Sequence, residues 1–240
     1  MGAVVGSEFS HTGPDAGTWG VARARGTSAR TTGPSVETRA RIVEATLETI
    51  KTEGMLGASA RAIARTGGFN QASIYYHFGS INEAVIAAIE HMSHEQLARY
   101  EVLLGGVTSL PELVRVAADL HREDVESGTI HVLSQVTAAA SADEVFAAQL
   151  GEVIRPWVAT VERALRRVLG DSPLGAALPL EELANAVSAL FLGIELLGRL
   201  VPDGAESERL FAAIEGIARL VDLFLQSPLA GLVQQTADGR

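Results

Sequence analysis

Apolar residues recur every three or four positions along most of this chain, and no stretch alternates strictly between apolar and polar. Ile42, Val43, Leu47 and Ile50 mark one side of a helix from about Ser35 or Thr38 to Thr52, which Gly54 ends. The stretch from Ser59 to Phe78 then reads as two short helices across a tight turn. Ser59 has the hydroxyl of an N-cap, and Ala60, Ile63 and Ala64 give a small apolar face. Gly67 and Gly68 stop this helix, because glycine enters the left-handed region without a Cβ penalty. Asn70 is a second cap. In the helix behind it, Ile74 and Phe78 lie four apart on one face, and Phe69 can close over Ile74 as a hydrophobic staple. The opposite face offers Gln71, Ser73 and Tyr76.

Beyond this pair the pattern stays helical. A long helix from about Asn82 to Leu104 carries Val85, Ala88, Ile89, Met92, Gln96, Leu97, Tyr100, Leu103 and Leu104 on its stripe, and Gly105-Gly106 breaks it. Ser109 followed by Pro111 opens a helix to about Glu126, since proline suits a first turn. Ser127-Gly128 turns the chain into a helix from about Ile130 to Ala140. Ser141, with Glu144 three residues on, predicts a capping box for a helix from Ala142 to Leu169. Pro156 inside it predicts a kink near Glu152 to Arg155. After a loop from Gly170 to Pro179, helices from Leu180 to Val201 and from Glu206 to Gln226 are joined by Pro202-Asp203-Gly204. The fold class is all-α: an N-terminal three-helix helix-turn-helix domain and a C-terminal helical domain. The expected divisions are a disordered tail at 1–34, the helix-turn-helix domain at 35–82 with its motif at 59–78, a helical body at 83–228 and a polar tail at 229–240.

Composition sharpens this picture. Of 240 residues 47% are hydrophobic and only 5% aromatic, so the core is built from Ala, Leu and Val, which favours helices. There is no cysteine, which excludes disulfides and thiolate metal sites. No apolar run reaches transmembrane length, and no basic segment leads into an apolar one near Met1, so a cytoplasmic protein away from membranes is expected. The net charge of −10 looks wrong for a partner of nucleic acid. Residues 1–90, however, hold eight basic and eight acidic side chains, and the whole excess lies beyond them. A neutral head on an acidic body is tolerable, because repulsion is screened within about 8–10 Å. It predicts weak sequence-blind binding. Arg23, Arg25 and Arg30 in the tail read either as an arm toward DNA phosphates or the minor groove, or as a solvated tail.

The run Ile63-Ala64, Gly68-Phe69-Asn70, Ile74-Tyr75-Tyr76-His77-Phe78, Ser80 and Glu83 resembles the N-terminal domain of the TetR (tetracycline-repressor-like) transcriptional regulators, over about residues 38 to 90. Two positions depart from the family pattern. Ile81 stands where a lysine is usual, which removes a phosphate contact or helix-dipole partner, and Ala58-Ser59 replaces a pair of threonines. The resemblance implies double-stranded DNA as a partner, a small-molecule pocket in the body and a dimer of four pooled helices.

A recognition helix turns its first residues to base edges in the major groove. Here these are Gln71, Ala72 and Ser73 behind Asn70, with Tyr76 one turn later. Gln can pair bidentately with adenine and Ala72 can meet a thymine methyl, a good bidentate pair discriminating by about 1–3 kcal/mol. Ser59, Arg61, Tyr75 and His77 suit phosphates, with Tyr75 and His77 equally readable as packing or capping residues. Two-fold pairing would set two such helices roughly 34–36 Å apart on a palindromic operator. Leu183, Val187, Leu190, Phe191, Ile194, Leu197 and Val201, with the small strip Ala186, Ala189 and Gly193, give one wide face for a homodimer. Leu210, Ile214, Ile217, Val221 and Phe224 give another, unless both stripes are core. Polar or aromatic residues on apolar helices are the effector candidates: His121, His131, Gln135, Trp157 and Glu195. Arg199 is the plain partner of Glu195 at i+4. No spaced ligand set supports a metal, no cofactor is expected, and no nucleophile elbow, phosphate loop or dinucleotide fingerprint marks an enzyme. The expectation is a repressor released by a small hydrophobic effector. The rival is a helical dimeric interaction protein with a weakened head, favoured by Ile81 and the acidic balance.

Overall fold

A computed structural model describes residues 33–200 and 206–227, with the side chains of Pro34, Arg199, Leu200 and Glu206 outside the description. The proposed arm, the C-terminal tail, Val201 and the Pro202-Asp203-Gly204 joint also lie outside it. The described residues form ten helices and no strand: α1 (Gly33–Gly57), α2 (Ala60–Gly67), α3 (Ala72–Phe78), α4 (Ile81–Gly105), α5 (Leu110–Glu126), α6 (Thr129–Ala140), α7 (Glu144–Leu169), α8 (Pro173–Ala177), α9 (Leu180–Leu200) and α10 (Glu206–Leu225).

The head closes on Ile42, Ala45, Ala60, Ile63, Ile74 and Ala84, with Phe69, Phe78 and Ile81 packed against them. Ser59 caps α2 by accepting from the Ala62 amide, and Gly68 ends it at φ +66°. Gly67 is a matter of space: a Cβ there would fall 2.1 Å from the Phe69 ring and 2.8 Å from the Ala45 methyl. On α1, Thr46 and Thr49 are fully buried beside the apolar stripe. Their hydroxyls donate back to the Ile42 and Ala45 carbonyls at 2.7 Å, so neither buries an unmet polar group.

A second core runs across the expected boundary between head and body. Ile50 and Ala58 from the head join Val85, Ile86 and Ile89 of α4, Val132 and Val136 of α6, and Phe146, Leu150 and Val153 of α7. Each Val or Ile buried there stabilises the junction by about 1.5–3 kcal/mol. Thus α4 serves three cores in succession: Ala84 in the head, Val85 and Ile89 at the junction, and Tyr100 and Leu104 with Leu120 and Ala164 in the body. Behind these, α7 packs on α9 and α5 on α10.

Several expectations need correction. The α7 cap is Asp143, which accepts from the Val145 and Phe146 amides, while Ser141 donates to the Ala138 carbonyl instead. The helix itself runs through Pro156 to Leu169 as expected, with one carbonyl of the preceding turn left without its donor by the proline. The expected loop at 170–179 contains α8, capped by Ser172. Helix α1 runs beyond Thr52 to Gly57, interrupted at Gly54 (φ 76°, ψ 167°). On α4, Leu103 is exposed rather than part of the buried stripe. Among the described residues, no helix is long and apolar enough to cross a membrane.

Candidate functional site

Helix α3 lies on the head with Ile74 fully buried and Phe78 half-buried. That orientation turns Gln71, Ala72, Tyr75 and Tyr76 outward and leaves Ser73 half-buried. Tyr76 is 85% exposed and Tyr75 51%. Asn70 acts as the cap: its Oδ1 accepts from the Ala72 amide at 2.9 Å, which fixes where the helix begins. His77 is half-buried, and its ring meets that of Tyr76 edge-on at 5.0 Å. Ser59 lends its oxygen to the Ala62 amide at 3.2 Å while its hydroxyl hydrogen stays available.

Arg61, Ala64, Arg65, Phe69 and Gln71 line an open groove between α2 and α3. Arg65 was legible only by its position four residues after Arg61, which puts both on one face. It is paired with Glu53 at 2.5 Å, and both arginines are exposed. The other head arginines brace the fold. Arg41 donates to the Gly67 carbonyl at 2.9 Å, and the Arg39 guanidinium sits 4.2 Å over the Phe78 ring. Ile81 packs against both the head core and the junction core, so the position that departs from the family lysine serves packing.

In the body the candidate residues divide. His121 on α5, His131 and Gln135 on α6, and Glu195 on α9 come together; Trp157 does not join them. His121 is buried, its ring edge-on to Phe191 at 4.8 Å and tilted against Phe211 at 5.3 Å. Burial lowers its pKa below the ordinary 6.5, and the Glu195 charge partly restores it. Glu195 is only 6% exposed, with Oε1 3.8 Å from His131 Nδ1. The Arg199 side chain predicted to pair with it lies outside the described part. Gln135 pairs with the His131 ring at 2.7 Å and accepts from the Met55 amide at 2.8 Å. Trp157 instead stands edge-on to Tyr100 at 5.0 Å, beside a polar group that periodicity alone missed. There Tyr100 donates to Asp124, and Gln96 donates to Asp124 at 3.3 Å and to Thr129 at 2.9 Å. Burial raises the Asp124 pKa, opposed by the Tyr100 hydrogen bond and the Arg99 charge. Among the described residues, no group of three or more His, Asp or Glu is placed to hold a metal ion.

Residues 42–88 match the profile of the family described as bacterial regulatory proteins, tetR family, a match that spans the head core from Ile42 to Ala84. The head thus carries the DNA-binding domain of that family. An uncharacterized HTH-type transcriptional regulator of Mycobacterium tuberculosis is 25% identical over 134 residues, 56% of this chain and 69% of the relative. A TetR-family transcriptional regulator from Cytophaga hutchinsonii shares the fold with a TM-score of 0.61, at 18% identity over 76% of this chain and 94% of that one. The transcriptional regulator FadR from Bacillus subtilis, solved with stearoyl-CoA, gives 0.59 at 13% identity, covering 75% and 96%. Inside the matched residues α2 and α3 form the helix-turn-helix, and α5 to α10 lie beyond them.

Proposed function

We propose that this regulator is a repressor that reads a palindromic DNA operator as a homodimer and is released by a small hydrophobic effector bound in its body. Gln71, Ala72, Ser73 and Tyr76 meet base edges, and Ser59, Arg61, Tyr75 and His77 meet phosphates. The observation that carries this reading is the division of α3: Ile74 is sealed in the core while Gln71, Ala72 and Tyr76 stand free on the side away from it. The dimer rests on the outer faces of α9 and α10, where Leu190, Leu197, Ile217, Leu220 and Leu223 are exposed. Isolated apolar side chains on a surface are ordinary, but five large ones on two helices that touch each other favour an interface. The effector site falls to His121, His131, Gln135 and Glu195, with Trp157 contributing from the neighbouring Tyr100 cluster. The Phe191 and Phe211 rings against His121, and the stearoyl-CoA bound by a FadR of the same fold, support an apolar effector.

The test is a binding titration against the DNA upstream of the regulator's own gene at two salt concentrations. Tight binding that needs the palindrome and weakens with salt is expected. Gln71→Ala and Tyr76→Ala should each lose about 1–3 kcal/mol of discrimination while the dimer persists. If neither variant alters operator binding, these are not the reading residues. Sequence-blind binding by the parent protein would favour the interaction-protein reading.

A further inference from the structure

The junction between head and body contains a hydrogen-bonded chain whose polarity can be assigned without seeing a hydrogen atom. The Met55 backbone N–H is a donor only, so the Gln135 atom that it meets at 2.8 Å must be the oxygen. The Gln135 amide nitrogen therefore faces His131 Nε2 at 2.7 Å and donates to it. Nε2 must then be an acceptor, so the ring carries its proton on Nδ1, the atom turned toward Glu195 Oε1 at 3.8 Å. This arrangement exists only while His131 is neutral. A protonated imidazole donates from both nitrogens, which sets Nε2–H against the Gln135 NH2. Rotating the amide by half a turn repairs that contact but sets the NH2 against the Met55 N–H. Either way, one of the two bonds is lost.

We propose that Met55, Gln135 and His131 form a proton-sensitive latch between the DNA-binding head and the body, closed by neutral His131 and opened by its protonation. Its place in the fold suits that role. Met55 follows the break in α1 at Gly54, the point where the head's first helix changes direction, and Gln135 sits on α6 between the junction-core residues Val132 and Val136. The charged groups around it come from several helices. Glu195 on α9 faces His131 directly, and the same Glu195 acts on His121 of α5. Asp124 of α5 is engaged by Tyr100 and Gln96. On α1, Glu53 pairs with Arg65, and on α7, Glu152 pairs with Arg155, both pairs at the surface. Glu195 thus favours the protonated ring that the Gln135 amide opposes, and the latch is set between the two.

The latch is tested on the whole chain without DNA, so its failure is separable from failure of the operator reading. Long-range nitrogen–proton spectra of histidine-labelled protein report the His131 tautomer, and hydrogen exchange reports protection of the Met55 amide relative to its intrinsic rate. At about pH 8 the Nδ1–H tautomer and a protected Met55 amide are expected. As His131 titrates, Met55 protection should fall about tenfold while amides inside α4 keep theirs. Gln135→Met, which retains the packing volume, should leave Met55 poorly protected at every pH. His131→Asn should remove the pH dependence. An Nε2–H tautomer, Met55 protection that is constant while His131 titrates, or full protection in Gln135→Met would each overturn the proposal.

Discussion

Replacing Gly54 by alanine tests the junction most directly, because two independent costs can be worked from the geometry. Gly54 holds φ 76° and ψ 167°, a region essentially reserved for glycine, and forcing an L-residue there costs about 1–3 kcal/mol. The added Cβ would also lie 2.8 Å from Gln135 Oε1, the atom that accepts from the Met55 amide. The Gln135 side chain must move, and losing that bond costs a further ~0.5–1.5 kcal/mol. The expected loss is about 2–4 kcal/mol, or roughly 4–16 °C in Tm for a chain of this size. The assay is thermal and urea unfolding followed by circular dichroism at fixed protein concentration, since an oligomer's Tm depends on concentration. Gly151→Ala is the control. It lies exposed inside α7 with nothing within 4 Å of the new methyl, and should gain up to about 1 kcal/mol. In a Gln135→Ala background, Gly54→Ala should lose only its backbone part, which separates the two costs. A loss below about 1 kcal/mol for Gly54→Ala in the parent protein would refute the strain argument.

Three further outcomes are expected. Asp143→Ala removes the cap of α7 and should cost about 1 kcal/mol in urea unfolding, whereas Ser141→Ala, once predicted as that cap, should cost only a few tenths. His121 is held below its ordinary pKa by burial, so the unfolded chain takes up its proton first as pH falls. The stability His121 contributes is complete above about pH 6.5 and is lost as pH falls toward its folded pKa; His121→Phe should flatten that part of the urea-midpoint profile between about pH 7.5 and 5.5. Glutamate at Ile217 or Leu220 on the open face of α10 should yield a helical monomer in sedimentation; an intact dimer would remove this face from the interface.

Much of the head was legible residue by residue because its signals are local. Ser59 and Asn70 cap their helices, Gly68 stops α2 in the left-handed region, and Ile74 faces inward with Phe69 against it. Each of these depends on partners only a few residues apart. The body misled in proportion to distance along the chain. Ser141 and Asp143 are both competent caps, and the backbone direction after Ala140 chose between them. The α9 and α10 stripes were correctly apolar, but periodicity describes a face and not its cover, so the split between buried Ile194 and exposed Leu197 could not be read. Gln135 is legible as a polar residue on an apolar helix, yet its partner lies 80 positions away, at the end of α1.

By itself the sequence determined the long helices, the caps at Ser59, Asn70 and Ser109, and the outward face of α3, because helical period and capping are settled by neighbours three or four residues apart. Only the tertiary structure brought His121, His131, Gln135 and Glu195 from three helices to one place and tied them to the end of α1. The reason is physical: a side chain's chemistry is written in its residue, but its partner is decided by how separate apolar faces pack, and that packing is a property of the whole chain.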